Sequence, residues 1–248
     1  MSEETTSKVI LITGAGTGIG KATALDLAPG NEIIIHYNSS ADAARAVADE
    51  VAGRGGKAHT VQADVSSEAG CRALADAVKG LVPRLDVLVN NAGGMIRRQS
   101  TREFEWSLME EVFALNTFSA LLLTSLCLPL LDKGRSPCVI NLTTIAMRHG
   151  GPSAILYAAS KGALDSATRG MAKELAPKIR VNAVAPGVVE TPFHEKMSTP
   201  ERMAGFAENT PLKRNGKPAE VAHAIRFLVE AEFLTGETVD VNGGLFMH

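Results

Sequence analysis

The stretch KVILITGAGTGIG, residues 8–20, decides the fold. Its first six residues form a short, mostly β-branched run, which is typical of a strand buried on both faces of a parallel sheet. Gly14, Gly18 and Gly20 follow, and then a helix-compatible segment runs to Ala28. A strand, a glycine-rich turn and a helix in this order present backbone N–H groups to a pyrophosphate. The stretch favours a nucleotide-binding unit over an ordinary tight turn, which fits the same residues.

Further strand-like runs alternate with helical stretches along the rest of the chain. This alternation indicates right-handed βαβ units. We therefore predict an α/β fold: a single-domain, Rossmann-type, doubly wound parallel sheet of seven strands with helices on both faces. The later strands are predicted at 32–36, 58–62, 86–90, 138–142, 180–184 and 238–241, and the helices at 41–51, 68–78, 106–131, 155–175 and 219–229.

No linker or composition break divides the chain, so residues 8–248 are predicted to be one domain after a disordered N-terminus at 1–7. The stretch 187–217 differs because prolines interrupt it repeatedly. Long irregular insertions of this kind are usually functional lids, so we expect residues 188–217 to be a substrate loop. The prolines are Pro192, Pro200, Pro211 and Pro218.

Composition narrows the function classes. The 248 residues are 45% hydrophobic and 21% charged with a formal net charge of -2, which lacks the basic bias of a nucleic-acid binder. The three cysteines and six histidines are scattered, which argues against a metal site. The N-terminus is polar and acidic, and no apolar run approaches about 18 residues, so we expect no secretory signal, no membrane span and a cytoplasmic location.

Cofactor choice is predicted from the end of the second strand, where an acid binds the ribose 2′-OH of NAD. Residues 36–40 read HYNSS and contain no acid. Asn38, Ser39 and Ser40 have groups that can hydrogen-bond the extra phosphate of NADP, although Ser39 or Ser40 equally fits a helix N-cap. We therefore expect NADP to be preferred, with NAD possible, since no arginine stands here or at Thr17.

Polar and small residues end the other strands, at the edge where open α/β sheets bind ligands. Asp64 follows the third strand, where it can accept from an adenine amino group or cap a helix. The stretch 90–93, NNAG, lines a cleft or forms a turn, and Thr144 closes the fifth strand. Pro186 and Gly187 close the sixth strand, with Thr191 four residues later.

Tyr157 and Lys161 are four residues apart on a predicted helix, so they share a face. A positive amine beside a phenol favours the tyrosinate, and an unperturbed tyrosine, with a pKa of about 10, is a poor base near neutrality. By itself, such a pair is most often two exposed side chains on a helix surface with no catalytic role. Asn116 lies in an apolar segment, where a buried amide needs partners and is usually structural.

Taken together, these motifs resemble the short-chain dehydrogenase/reductase family from Lys8 onward. The residues that carry the resemblance are Thr13, Gly14, Gly18, Gly20, Asp64, Asn90, Asn91, Ala92, Gly93, Asn116, Tyr157, Lys161, Asn182, Pro186, Gly187 and Thr191. The stretch 235–244 looks like the C-terminus of the 3-oxoacyl-[acyl-carrier-protein] reductase-like branch. One departure is Thr144, where the family usually has serine; threonine keeps the hydroxyl but adds a crowding methyl group.

The resemblance implies a site and a mechanism. Hydride passes between a nicotinamide cofactor and a carbonyl carbon, Tyr157 is the general acid and base, and Thr144 hydrogen-bonds the carbonyl oxygen. Lys161 would lower the Tyr157 pKa and bind the ribose, and Asn116 would hold a water of a proton relay. The implied cofactor contacts are Gly14, Gly16, Thr17, Gly18, Ile19, Gly20, Asn38, Ser39, Ser40, Asp64, Val65, Asn91, Ala92, Gly93, Tyr157, Lys161, Pro186, Gly187, Val189 and Thr191.

The substrate stays open between two small-molecule classes. The whole-chain similarity implies a 3-oxoacyl thioester or related ketone, whereas residues 94–98, GMIRR, resemble family members that act on keto sugar acids. Paired arginines can clamp a carboxylate, although exposed pairs are more often just solvated. A non-catalytic nucleotide-binding regulator is the alternative of another class. The resemblance also implies a homotetramer built from helices 106–131 and 155–175 and the C-terminal strand.

Overall fold

A computed structural model describes residues 7–247 of the chain. Seven parallel strands form one sheet in the order β3-β2-β1-β4-β5-β6-β7, which confirms the predicted doubly wound fold. The expectation for the N-terminus at 1–6 lies outside the described residues, and Ser7 accepts a hydrogen bond from Arg84 through its carbonyl. The strands are β1 (Val9–Ile12), β2 (Glu32–Tyr37), β3 (Lys57–Gln62), β4 (Val87–Asn90), β5 (Cys138–Leu142), β6 (Arg180–Pro186) and β7 (Thr238–Val241).

Helices connect these strands, and short ones extend two of the connections. A 3₁₀ turn, Thr101–Glu103, precedes the helix Trp106–Phe113, and a π-helical turn, Ala114–Phe118, joins that helix to the next one, Ser119–Leu131. The helices are α1 (Gly18–Asp26), α2 (Ala41–Gly53), α3 (Glu68–Leu81), α4 (Trp106–Phe113), α5 (Ser119–Leu131), α6 (Ala146–His149), α7 (Ile155–Leu175), α8 (Pro192–Met197), α9 (Pro200–Asn209) and α10 (Pro218–Glu230).

The apolar run of β1 serves two cores. Ile10 and Ile12 belong to the cluster shared with α1, α2 and α10, whereas Val9 and Leu11 belong to the cluster shared with α3, α5 and α7. Successive strand residues point to opposite faces, so a strand covered by helices on both sides must be apolar throughout. This is why residues 9–12 show no polar alternation.

The strand order places the ligand-binding edge. β1 pairs with β2 on one side and with β4 on the other, all in parallel. The chain therefore winds outward in opposite directions from this pair, which opens a crevice beyond the carboxyl ends of β1 and β4. The glycine-rich turn and the stretch 90–93 both lie at that crevice.

The predicted helix at 106–131 is continuous but not uniformly α-helical. Its π-helical turn carries Asn116 at the centre, and π turns inside α-helices often occur at functional sites. By length and composition Trp106–Leu131 would be able to cross a membrane, contrary to the expectation that nothing here would. Half of the apolar window is buried inside the fold, where α5 packs on α3 and the π turn packs on α7. The core helix of a soluble protein passes the same test.

The segment from 188 to 217, called the α8–α9 segment, was expected to be irregular, and this prediction is wrong. It contains two helices, and Pro192 and Pro200 are their first residues. Pro218 begins α10 in the same way. Proline fits the first position of a helix because the missing N–H would have no intrahelical partner there. Three of the four prolines therefore start helices instead of breaking them, and Pro211 lies in the turn after α9.

Candidate active site

The glycine-rich turn has a backbone that only glycine adopts easily at two positions. Gly14 and Gly18 have φ values of +64° and +56°. A side chain at Gly20 would place its Cβ 2.4 Å from the carbonyl oxygen of Gly14, so α1 packs directly on the turn. No side chain caps α1 at Thr17, and no acid lies in its first turn. The first N–H groups of α1 therefore suit a pyrophosphate, which fits a dinucleotide cofactor.

Asn91 and Thr13 hold this turn against the end of β4. The Asn91 amide donates to the carbonyl oxygens of Thr13 and Gly14 at 2.8 and 3.1 Å. The Thr13 hydroxyl accepts from the backbone N–H groups of Asn91 and Ala92 at 3.0 and 2.9 Å. Four hydrogen bonds between distant chain segments make the turn a rigid platform.

His36, at the end of β2, is a third support that sequence reasoning missed. The backbone N–H of Gly14 donates to its Nδ1 at 3.1 Å, and its Nε2 lies 3.1 Å from the carbonyl oxygen of Ala63. Nδ1 must be an acceptor and Nε2 a donor, so the ring is neutral. Burial also lowers the pKa of His36 below its usual 6.5. A histidine at a strand end was the available signal, but its partners come from two other strands.

One cavity of about 490 Å³ runs along the carboxyl edge of the sheet and joins most predicted site residues. Of the predicted residues, it is lined by Gly14, Thr17, Gly18, Ile19, Asn38, Asp64, Val65, Asn91, Ala92, Gly93, Thr144, Tyr157, Lys161, Pro186, Gly187, Val189 and Thr191. Lining residues that were not predicted include His36, Arg98, Phe193, His194, Arg202 and Phe206.

Four predicted cofactor contacts are not among the residues that line the cavity: Gly16, Gly20, Ser39 and Ser40. A Cβ at Gly16 would lie 2.9 Å from the Ser40 hydroxyl oxygen, so Gly16 makes room for Ser40. Ser40 precedes α2, but its side chain makes no cap hydrogen bond to the helix. Its hydroxyl therefore does not serve as the helix cap that was the alternative interpretation.

Asp64 lines the cavity and also organises its own turn. Its Oδ1 accepts from the backbone N–H and the hydroxyl of Ser66, at 3.0 and 2.7 Å. The cap of α3 is instead Ser67, whose hydroxyl accepts from the N–H of Gly70. The cap interpretation of Asp64 is therefore wrong, and its carboxylate faces the cavity from a local turn.

Tyr157, on the first turn of α7, meets Thr144 across the cavity. Both side chains line it, and the Thr144 hydroxyl lies near enough to the Tyr157 phenol to affect its pKa. The Thr144 hydroxyl also accepts from the N–H of Ala146 at 3.3 Å, at the start of α6. The ring of Tyr157 lies beside that of Phe193, with centroids 6.0 Å apart. The end of β5 and the α8–α9 segment therefore enclose the phenol from two sides.

Lys161 is almost completely buried one helical turn beyond Tyr157. Its Nζ donates to the carbonyl oxygen of Leu142, at the end of β5, at 2.6 Å. Burial lowers the pKa of Lys161 to about 7, because desolvation disfavours the ammonium form. The amine is therefore poised between its charged and neutral forms near neutral pH.

The Tyr157 pKa runs against the expectation that Lys161 lowers it. Burial raises the pKa of Tyr157 to about 12, although the nearby Thr144 hydroxyl opposes this rise. A lysine with a pKa of about 7 is only partly charged at neutrality, so it favours the phenolate weakly. The phenol holds its proton in this arrangement, which suits a general acid better than a resting base.

Gly93 explains how Lys161 and Asn116 fit together. A Cβ at Gly93 would lie 2.7 Å from Asn116 Oδ1 and 2.9 Å from Lys161 Nζ. The absence of a side chain therefore lets the end of β4 approach both polar groups. Gly93 also lines the cavity, as predicted.

Asn116 does not line the cavity, and its side chain is fully buried. Its Oδ1 accepts from the N–H of Gly94 at 2.8 Å, and its Nδ2 donates to the carbonyl oxygens of Gly94 and Val112 at 2.9 Å each. Both amide hydrogens are thus used, so the side chain fixes the segment after β4 against the π turn. The water relay stays a prediction.

The two arginines of the stretch 94–98 point to different places. Arg97 is exposed and forms an ion pair with Glu105 at 2.6 Å. Arg98 is half-buried, lines the cavity, and donates to Ser153 Oγ at 3.3 Å and to the Met197 carbonyl oxygen at 3.4 Å. The predicted pair therefore does not act as one clamp.

Asn182, which belongs to the motifs that carry the resemblance, has purely structural surroundings. It donates to the carbonyl oxygen of Leu234 at 2.8 Å and accepts from the N–H of Glu237 at 3.0 Å, so it ties β6 to the segment before β7.

Within residues 7–247, no group of three or more His, Cys, Asp or Glu side chains is suited to a metal ion.

Comparison with known proteins agrees with this geometry. The family model described as "Enoyl-(Acyl carrier protein) reductase" matches residues 14–246. A 3-oxoacyl-[acyl-carrier-protein] reductase of Synechocystis is 39% identical, covering 98% of each chain. The 7alpha-hydroxysteroid dehydrogenase of Escherichia coli is 34% identical over 96% of this chain and 93% of its own. The Pseudomonas aeruginosa RhlG/NADP active-site complex superimposes with a TM-score of 0.90 at 32% identity, covering 97% of each chain.

Proposed function

The chain belongs to the short-chain dehydrogenase/reductase family and is an NAD(P)-dependent oxidoreductase, and we propose that it interconverts a ketone and a secondary alcohol with Tyr157 as general acid and base. The observation that carries this proposal is that Tyr157, Thr144 and Lys161 line the same cavity as the glycine-rich turn. A bound nicotinamide cofactor supplies the hydride in reduction and takes it back in oxidation.

The proposed roles follow from where each group lies. In reduction, Tyr157 donates its proton to the carbonyl oxygen as that oxygen becomes an alkoxide, and the raised pKa keeps the proton available until then. The Thr144 hydroxyl hydrogen-bonds the same oxygen and stabilises its developing charge. Lys161, with a pKa of about 7, is placed to return a proton towards Tyr157. In oxidation the proton moves in the opposite direction.

A steady-state screen of ketones and alcohols with both nicotinamide cofactors tests this proposal. We expect ketone-dependent oxidation of NADPH by the wild-type protein and none by the Tyr157→Phe variant. If the protein binds cofactor but turns over nothing in a broad panel, the alternative of a non-catalytic regulator replaces the enzyme proposal.

The first substrate candidate is a 3-oxoacyl thioester or a related ketone. The support is the name of the Synechocystis relative, which is 39% identical over nearly the whole chain. The second candidate is a keto sugar acid, favoured by the position of Arg98 in the cavity. Reduction rates of an acetoacetyl thioester and of keto sugar acids at one enzyme concentration separate the two.

We propose that NADP is preferred over NAD. Asn38 lines the cavity at the end of β2, and the stretch 36–40 brings no carboxylate to repel a phosphate. The Pseudomonas aeruginosa neighbour is described as an NADP complex. The expected result is a higher kcat/KM with NADPH than with NADH, and a Ser39→Asp change should reverse the preference. A higher value with NADH in the wild type contradicts the proposal.

We also propose a single-domain, cytoplasmic homotetramer in which the α8–α9 segment acts as the substrate loop. Trp106 and Phe118, on the long helix that was predicted to form the interface, are 74% and 56% exposed. Large apolar side chains on one helix are suited to a contact between subunits. Light scattering at micromolar concentration tests the assembly, and a monomer would contradict it.

A further inference from the structure

Two arginines from different elements line the same cavity. Arg98 lies in the segment after β4, and Arg202 lies in the first turn of α9. Both line the cavity. In the described part of the chain, neither guanidinium has a carboxylate within ion-pair distance. Arg97 and Arg214, in contrast, each form an ion pair with a glutamate. Two cations therefore face the same space without a protein counter-charge.

The hydrogen bonds of Arg98 leave most of its capacity unused. Its Nε and Nη1 donate at 3.4 and 3.3 Å, which is long for an N–H donor. Burial, together with repulsion from Arg202, lowers the pKa of Arg98. A half-buried guanidinium beside a second cation is destabilising unless an anion binds between them. The arrangement is therefore suited to a negatively charged ligand.

His194, on α8, adds a neutral polar group to the same wall. Burial, and then the charge of Arg98, lower the pKa of His194 to about 4, so the imidazole is neutral at physiological pH. Its Nδ1 is buried and has no hydrogen-bond partner among residues 7–247. The rings of Phe193 and Phe206 lie 4.9 and 6.4 Å away, centroid to centroid, which makes this wall largely apolar.

We propose that Arg98 and Arg202, with His194, form an anion subsite that holds the carboxylate of a keto acid substrate while its ketone lies at Tyr157. This proposal rests on the proposed function and names the substrate class of the same site. Phe193 joins the two parts, since its ring contacts both Tyr157 and His194. A planar guanidinium matches a carboxylate with two parallel hydrogen bonds.

The two guanidinium groups without a protein counter-charge favour a keto acid over a neutral ketone. Arg98 is half-buried, lines the cavity and donates from Nε to the Met197 carbonyl oxygen of the α8–α9 segment, so a carboxylate in the cavity can reach its guanidinium. The anion subsite also favours the keto sugar acid of the two substrate candidates. A keto sugar acid carries the carboxylate, and the acyl portion of a 3-oxoacyl thioester does not.

The test compares each acid with its uncharged counterpart. Oxo acids of increasing length are assayed beside their methyl esters, and a keto sugar acid beside the ketose with the same carbon skeleton, all with NADPH. We expect the wild-type kcat/KM to be higher for the acids. Because a hydrogen bond to a charged group contributes roughly 1.5–3 kcal/mol, Arg98→Gln should lower the value for acids about 10–100-fold and leave the esters nearly unchanged.

Two further variants keep the test decisive. Arg202→Gln removes the second cation from an exposed position, where loss of folding is not expected, and should lower acid turnover in the same selective way. Arg97→Gln is the matched control, because Arg97 is one residue away but paired with Glu105 outside the cavity. It should leave the acid-to-ester ratio unchanged. Melting temperatures of all variants check the fold.

Three outcomes overturn the anion subsite: equal wild-type kcat/KM for acids and esters, an unchanged acid-to-ester ratio in both Arg98→Gln and Arg202→Gln, or an effect of Arg98→Gln that appears only with a coenzyme A thioester. The last result would assign the arginines to the phosphates of a carrier arm, and the neutral N-acetylcysteamine thioester is its control. A wild-type protein that reduces neither acids nor neutral ketones refutes the proposed function instead.

Discussion

The two ends of the cavity are built differently. At the strand-end region, formed by residues 13–20, 36–40 and 90–93, the backbone itself makes the surface, and Asn91 and His36 tie it together with hydrogen bonds over long sequence distances. At the other end, the α8–α9 segment has no buried residue in either helix. It contributes aromatic and charged side chains to the cavity, such as His194, whose Nδ1 has no hydrogen-bond partner among residues 7–247, and Arg202, whose guanidinium lies over the ring of Phe206.

This difference corresponds to two tasks, binding of the cofactor and binding of the substrate. The strand-end region is rigid because glycines allow close packing and every turn is held by neighbouring strands, so it suits a large cofactor of constant shape. Hydrogen bonds that join the α8–α9 segment to the rest of the protein include Leu212 N–H to the Gly243 carbonyl oxygen and Arg98 Nε to the Met197 carbonyl oxygen, whereas the bridge between Val189 and Gly216 lies within the segment. Its shape is free to vary with the substrate.

Tyr157 is where the two regions meet, so its loss should have the largest effect. Tyr157→Phe keeps the ring that packs beside Phe193 and removes only the hydroxyl near Thr144. Since positioned acid–base groups contribute about 10²–10⁴-fold, kcat should fall at least that far. Cofactor affinity, measured by fluorescence titration with NADPH, should stay nearly the same. Retained turnover would break the assignment of the catalytic centre.

Thr144 is the second test, on the strand-end side of the reacting oxygen. Thr144→Val keeps the shape and removes the hydroxyl, so we expect kcat to fall about 10²-fold, as for loss of one donor to a developing oxyanion. Thr144→Ser is the control, because it keeps the hydroxyl and removes only the methyl group. If the valine variant keeps its kcat, Thr144 contacts Tyr157 without taking part in the reaction.

His36 tests whether the rigidity of the strand-end region depends on one buried side chain. His36→Leu leaves the Gly14 N–H and the Ala63 carbonyl without their partner, so the unfolding free energy should fall by about 2–4 kcal/mol and the NADPH dissociation constant should rise. Urea unfolding and cofactor titration measure both. His59→Leu is the matched control, because His59 is half-buried on β3 and pairs only with Glu32.

The same residue predicts a pH dependence. His36 is neutral in the folded protein because burial lowers its pKa, whereas the unfolded chain takes up a proton below about 6.5. Stability should therefore decrease as pH falls below about 6.5, and less steeply in His36→Leu. His194, with a pKa lowered to about 4, contributes to the same slope, so the variant should reduce it without abolishing it. Equal slopes would contradict the neutral His36.

The smallest expected effect compares one kind of helix cap on α3, a helix that covers the sheet, and on α9 of the α8–α9 segment. The Ser67 hydroxyl accepts from Gly70 N at 3.1 Å at the start of α3, and the Thr199 hydroxyl accepts from Arg202 N at 3.3 Å at the start of α9. Each loss to alanine should cost about 1 kcal/mol. Ser67→Ala should lower the urea midpoint because α3 packs into the core. Thr199→Ala should leave the urea midpoint unchanged and should raise KM for the substrate several-fold at most.

Equal changes of the urea midpoint in the two cap variants would show that the α8–α9 segment unfolds together with the sheet. The contrast between the two ends of the cavity would then be wrong. Hydrogen exchange of the α9 amide groups gives an independent measure, since a segment that opens locally exchanges faster in Thr199→Ala only.

Sequence alone predicted the strand-end region well because its determinants are local. Residues 9–12 must be apolar to lie between two cores, and Gly14 and Gly18 adopt backbone angles that favour glycine. Patterns of this kind are visible in neighbouring residues, so the seven strands, the turn and the pairing of Tyr157 with Lys161 on one helix were all foreseeable.

Only the tertiary structure decided what depends on burial and on distant partners. His36 supports the turn through partners that follow two other strands, Arg98 and Arg202 line one cavity although they are far apart in the sequence, and Arg97 pairs with Glu105 instead. The pKa of Tyr157 also rises because desolvation exceeds the opposing effect of Thr144, and burial lowers the pKa of Lys161 as well. Helical spacing predicts that two side chains are neighbours, but their charges depend on how much water the whole fold removes from them.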